Sequence, residues 1–281
     1  MTEKIKHIDL AQSGVSVSSK EHTPPKQSAN VLFKFMKEIR FLKEALSKKA
    51  IIPRYCEENI EYLQLNGIKK IAFPMACFCD IHLKRLVHHR EKYGNFGIGL
   101  NREWGIEKGL QPIHYVNPDS NIRKDFTNAF NAAEEKVNEE NESLYTDYLL
   151  QNLLYMKPIE GPMPIWNKLT NKMDDDNRNF QDEKEWRFVP DRIIEKTDLD
   201  LLIDQELLNQ NTYNNSSLGI YQLPELWLPF QYDDIKYIVV ETVENRDELI
   251  DFILSKDFSD EKSRSILCSK IMVYNTLQED W

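Results

Sequence analysis

The feature that most limits how this chain can fold is a nine-residue apolar run, Ile71 to Cys79 (IAFPMACFC). It is too short to span a membrane and too bulky for a solvated surface, so it reads as a buried strand. Pro74 removes a backbone donor from its middle, which restricts the strand to an edge or a bulge. Val31, Leu32, Phe33 and Phe35 form a second strand-like run. The segment after it, MKEIRFLKEALSKK, spaces Ile39, Leu42, Ala45 and Leu46 as one helical face, with Lys48 and Lys49 where cations suit the helix dipole.

The same patterning continues along the chain. Asp80 is placed to cap a helix carrying Leu83, Leu86 and Val87, and Ile113, Tyr115 and Val116 suggest a strand. From Asn121 to Met156 a step near 3.6 predicts one long helix or two abutting ones. KMDDDNRNFQ reads as a polar loop, EKEWRFV as a strand with one polar face, and NTYNNSSLGIYQLPELWLPF as a core-covering loop in preference to a partner surface. Ile235 to Val240, a helix over ENRDELIDFILSK, and Ile271 to Tyr274 close the chain as strand, helix, strand. The expected class is α+β with a mixed sheet, in one domain over residues 30–281 behind a flexible polar leader at 1–29.

Composition narrows the function classes. An apolar fraction of 41% over 281 residues supports a real core. No run approaches a membrane span and the first residues lack a secretory core, so a cytoplasmic protein without membrane contact is expected. Four cysteines in so long a chain read as thiols. A net charge of −10 argues against a broad phosphate-binding surface while leaving room for a local basic pocket.

Three clusters could carry chemistry. On a strand, Glu183, Glu185 and Arg187 would share one face while Trp186 and Phe188 anchor the other. Two such carboxylates could bind a hydroxyl and stabilise a cation; the bland alternative is a solvated face laced by an ion pair. Next, Cys77 and Cys79 near His82, His88 and His89 make zinc thinkable, but buried thiols are the simpler account. His89 and Tyr93 share a helical face and could line a pocket, and Gly94, Gly97 and Gly99 would let a ligand approach backbone. GNFGIG does not follow a strand and open a helix, so no dinucleotide-binding turn is expected. Last, Lys34 on the first strand and Arg54-Tyr55 after Pro53 could hold phosphate or ribose; exposed cations are the alternative.

The run PMACFCDIHLKRLVHHREKYGNFGIGLNREWGIEKGLQPIHYV, with ALSKKAIIPRYCEENIEYL before it and DEKEWRFVP and KIMVYNTLQEDW after it, resembles the AbiGi family of abortive phage-resistance proteins. The resemblance implies bacterial defence in a toxin–antitoxin type of locus, with a cognate toxin or antitoxin encoded nearby, and family naming favours the antitoxin side. A remoter resemblance, carried by the first strand and the late ExE, is to mono-ADP-ribosyltransferases. It implies split small sheets flanked by helices, with NAD as substrate. Glu185 is similar to the catalytic glutamate of that motif and Glu183 to its upstream partner. Lys34 stands where those enzymes often carry His or Arg, and Tyr55 or Tyr93 would stack on nicotinamide.

On that resemblance Glu185 would stabilise an oxocarbenium-like state through the ribose 2′-hydroxyl, and Glu183 would orient the acceptor, a protein, RNA or DNA. Arg187, Lys34 and Arg54 would hold phosphate or ribose oxygens, with His89 beside them. Glu185→Gln is then expected to cost about a hundredfold in turnover with little effect on stability. The reading preferred on the sequence is this enzyme acting as a defence toxin, because an antitoxin has no chemical need for two carboxylates and an arginine on one strand. The alternatives are a non-catalytic antitoxin that neutralises a partner and a DNA-binding repressor, the last disfavoured by charge and by the lack of a helix-turn-helix pattern.

Overall fold

The expected buried strand runs over Lys70–Cys79 and forms the axis of the molecule. The structure, a computed structural model, describes residues 28–135, 143–167, 172–190, 197–255 and 260–279. Residues 1–27 of the expected leader and the centre of the expected helical stretch lie outside the described residues.

The two halves of the long strand belong to different neighbours. Its C-terminal half pairs antiparallel with Glu185–Phe188, from Cys79 opposite Glu185 to Ala76 opposite Phe188, and touches Val31–Met36 at Phe33 opposite Cys79. Its N-terminal half pairs with Arg54–Asn59 on one flank and with Ile203–Asp204 on the other. Pro74 is therefore neither at an edge nor at a bulge. It sits between Ala72, the last partner of Ile203, and Ala76, the last partner of Phe188, where that flank carries no ladder partner. A proline is tolerated there because part of the ladder is already interrupted.

Beyond Val31–Met36 the sheet continues through Phe96–Asn101 and Ile235–Val240 to Ile271–Val273. The last two strands are parallel and the other pairs antiparallel, so the sheet is mixed. Gln111–Pro112 closes the opposite edge against Trp186 and Arg187. Three two-stranded sheets flank it, including a parallel pair of His114–Val116 with Met156–Pro158.

The predicted helices Ile39–Lys48 and Val243–Leu254 cover one face of the sheet, packing Leu42, Leu46, Leu249 and Ile253 against Ile98, Leu100, Trp186 and Ile238. The first ends on Lys49, which takes a left-handed φ of 51°, and the second starts in a Thr242/Asn245 capping box. Helices Asn121–Glu135, Ser143–Leu154 and Gln210–Tyr221 enclose a second core around Leu63, Phe73 and Ile220. A third cluster, with Phe33, Phe35, Leu86 and Tyr274, covers the remaining sheet face. None of the described helices is long and apolar enough to cross a membrane.

Several local expectations are corrected. KMDDDNRNFQ is not a loop: Lys172–Asn179 is a strand paired antiparallel with Glu160–Asn167. The segment leading to Tyr221 is a helix capped by the Asn209 side chain, which accepts the Thr212 N–H. Asp80 caps no helix. Its carboxylate accepts the Ala29 N–H at 2.6 Å, and helix Val87–Tyr93 starts without a side-chain cap.

Candidate functional site

The ExE segment is placed differently from a continuous strand. Glu183 ends the short 3-10 turn Phe180–Glu183, Lys184 takes a left-handed φ of 41°, and only Glu185–Phe188 is strand. The kink still brings the two acids together, because both reach one residue that the sequence did not single out. Lys157 Nζ lies 3.0 Å from Glu185 Oε2 and 3.2 Å from Glu183 Oε2. Trp186 anchors in the core behind them, as expected from alternation.

Followed outward, these contacts make an alternating chain of charge. Glu58 accepts from Arg187 at 3.1 Å, and Arg187 grips Glu185 Oε1 with Nε at 2.9 Å and Nη2 at 2.8 Å. Lys157 links Glu185 to Glu183, and Arg178 Nη1 closes the row at 2.8 Å from Glu183 Oε1. Three carboxylates thus face three cations within one mostly buried row. Arg187 has no exposed surface, and its Nη1 donates to the Leu154 carbonyl at 2.6 Å.

Burial opposes the charges of Glu185, Lys157 and Arg187, and neighbours overrule it. Desolvation would raise the Glu185 carboxyl, but Arg187 and Lys157 hold it well below the usual carboxylate range. Desolvation would lower Lys157, yet Glu185, Glu58 and Glu183 hold it far above its ordinary value. Arg187 is likewise held up by Glu185 and Glu58. The Tyr115 hydroxyl accepts the backbone N–H of Glu185 at 2.9 Å and pins the start of the strand.

The acids lie on the wall of a cavity of about 250 Å³, together with Lys34, His89, Tyr93 and Lys157. Lys34 Nζ donates to the Cys77 carbonyl at 3.3 Å. His89 and Tyr93 face each other at 4.4 Å between ring centroids, and the Tyr93 hydroxyl donates to Glu183 Oε1 at 2.6 Å. Burial pulls the His89 pKa down to about 4, so this imidazole is neutral near neutral pH. His89, Tyr93 and Glu183 also border a larger cleft of about 690 Å³, whose rim carries Lys84, Arg85 and Lys92.

The structure therefore gathers Glu183, Glu185, Lys34, His89 and Tyr93 around one cavity. It does not bring Arg54 or Tyr55 there. Arg54 is exposed, and Tyr55 is buried in the second core with its hydroxyl donating to the Asp200 carbonyl. Cys56, Glu57 and Glu58 of the same strand line the cavity, whereas Tyr55 packs into the second core and Arg54, at the start of the strand, lies outside the cavity lining. Arg187 is corrected too: its guanidinium is wholly spent inside the protein rather than presented to a ligand.

The glycines serve packing. The Phe35 ring lies over Gly97 and the Phe33 ring over Gly99, each 2.7 Å from where a Cβ would stand. Among the described residues no group of three or more His, Cys, Asp or Glu is arranged to hold a metal ion. Cys79 is a buried thiol and Cys77 a half-buried one on the cavity wall, and desolvation pushes both pKa values up.

Fold and site together define a mixed α+β protein with its buried charges compensated internally beneath a cationic cleft. The family model described as "Putative abortive phage resistance protein AbiGi, antitoxin" matches residues 49–241. The chain is also similar to the abortive phage resistance protein AbiGi of Lactococcus lactis subsp. cremoris, at 33% identity over 254 residues, covering 83% of this chain and all of that relative. The chain belongs to the AbiGi family of abortive phage-resistance proteins. No solved structure matches it.

Proposed function

We propose that this protein is the antitoxin of an abortive-infection pair and acts by binding a partner toxin encoded nearby. The observation that supports this most is the saturation of the two acids. Every carboxylate oxygen of Glu183 and Glu185 already accepts from Tyr93, Lys157, Arg178 or Arg187. A carboxylate that must turn to a substrate hydroxyl in the transition state is poorly served by partners that hold it in the ground state. The family description, which carries the word antitoxin, points the same way.

The test is co-expression of the full chain with the product of the neighbouring gene. Relief of growth arrest together with co-purification of the two proteins is expected. Persistent arrest, or growth arrest caused by this protein alone, overturns the proposal.

A second reading, an NAD-dependent ADP-ribosyltransferase, draws on the meeting of Lys34, His89, Tyr93, Glu183 and Glu185 at one cavity. In it NAD is the substrate, Glu185 stabilises positive charge on the ribose as nicotinamide leaves, and Glu183 orients an acceptor on a protein, RNA or DNA. Lys34 holds a phosphate or ribose oxygen, and the His89–Tyr93 pair receives the nicotinamide ring. Release of nicotinamide from NAD by the purified protein supports this reading; intact NAD after prolonged incubation removes it.

A further inference from the structure

We infer that the cationic cleft and the groove beside it form a track for single-stranded nucleic acid, a property that goes beyond partner binding and does not depend on it. Lys84 and Arg85, exposed on the short turn Leu83–Arg85, line both the cleft of about 690 Å³ and a neighbouring groove of about 600 Å³. They stand on the ridge between the two. Lys92 and Lys184 add charge on the cleft side and Lys236 on the groove side.

The acids nearby do not cancel this charge. Asp80 is buried against the Ala29 N–H and faces Arg102 at 3.8 Å, and Glu183 is engaged by Arg178 and Lys157. Asp182 is the remaining carboxylate that lines the cleft. In a chain of net charge −10, the sign of this strip is reversed locally.

Rings lie on both sides of the ridge. Tyr237 lines the groove and stacks on Phe33, with centroids 6.2 Å apart and planes 14° apart. Tyr93 lines the cleft against His89. Cations between aromatic platforms are the pattern that holds a phosphate backbone while unpaired bases stack, and a duplex, whose base faces are hidden, cannot use the rings. An acidic peptide would engage the cations and leave the rings idle.

The test uses the purified full chain and fluorescence anisotropy with labelled single-stranded RNA and DNA of about a dozen nucleotides at low salt. The wild type and a distant charge reversal, Lys124→Glu, are expected to bind alike. Lys84→Glu with Arg85→Glu is expected to weaken binding at least about tenfold and to lower the salt slope by about 1.4, two lost phosphate contacts at about 0.7 each. Tyr237→Ala is expected to weaken binding about fivefold or more with an unchanged slope. Thermal melting of each variant establishes that it is folded, and Lys84 and Arg85 are exposed enough for that control to hold. Unchanged affinity in the double reversal overturns the inference. So does equal affinity for a duplex or a mononucleotide, or displacement of the strand by polyglutamate at matched charge.

Discussion

The ammonium of Lys157 lies 3.0 Å from Oε2 of Glu185, at the middle of a buried row of alternating charges. Its side chain is 12% exposed and its Nζ also sits 4.7 Å from the centre of the Phe180 ring. Removing the ammonium leaves two carboxylates facing each other out of water. Lys157→Met is therefore expected to lower stability by about 3–5 kcal/mol, read from urea unfolding. Adding Glu183→Gln to that variant should recover part of the loss, since the pair is then relieved of one uncompensated charge. A double variant no more stable than the single one would show that the row is not energetically coupled.

Glu185→Gln follows the same physics and revises the expectation drawn from the sequence, in which the substitution spares stability. The amide retains one acceptor oxygen, but Arg187, at zero exposure, is left with Glu58 as its carboxylate partner, and Lys157 is left with Glu183. A stability loss of about 3–5 kcal/mol is expected at pH 7. Because Glu185 is held below the ordinary carboxylate range in the folded state, the unfolded chain binds the proton first as pH falls. The contribution of Glu185 is thus fully present above the unfolded value near 4.3 and is lost as pH drops below it. Urea midpoints measured from neutral to acidic pH should fall more gently for Glu185→Gln than for the wild type.

Periodicity made most of the sheet and helix order readable before any coordinates. Alternation at Glu185 to Phe188 located the buried tryptophan, and helical spacing placed Leu42, Ala45 and Leu46 in the core. Partners distant in sequence were not readable. Lys157 sits in a three-residue strand between two buried residues, with nothing local to distinguish it from any solvated lysine. Arg178 lies in a run of acids and amides that looks like a loop, because pairing with Glu160–Asn167 is what makes it a strand. Pro74 misled for a related reason: its tolerance comes from a gap between two partners separated widely in sequence.

His89 gives a second pH dependence, at higher pH than that of Glu185. Burial is the main cause of its drop to about 4; Arg178 and Lys34 add to it, while Glu183 and Glu185 oppose it. An unfolded histidine takes its proton near 6.5, so between 6.5 and about 4 the unfolded state binds more protons than the folded one. Stability contributed by the neutral ring is present above 6.5 and is lost as pH falls toward 4. His89→Phe keeps an aromatic contact for Tyr93 and cannot titrate. Its unfolding free energy should change less than that of the wild type between pH 7 and pH 5; parallel curves for the two proteins would contradict the burial of a neutral imidazole.

Gly94→Ala isolates a constraint of backbone rather than charge. Gly94 ends helix Val87–Tyr93 with φ at +122°, a conformation L side chains rarely adopt. A Cβ there would stand 2.1 Å from the Met36 carbonyl oxygen and 2.5 Å from the Lys37 N, both backbone atoms at the end of the first strand. Neither a rotamer change nor a shift of a flexible tip can relieve that contact, so the helix that carries His89 and Tyr93 must move away from Val31–Met36. The expected cost is at least about 2 kcal/mol, combining the strained φ with overpacking. The displaced helix should also loosen the Tyr93–Glu183 hydrogen bond of 2.6 Å. Amide exchange in the helix should therefore quicken in Gly94→Ala. In Gly109→Ala exchange there should stay near the wild-type rate, because that glycine has a positive φ of 75° but open space around its Cβ position.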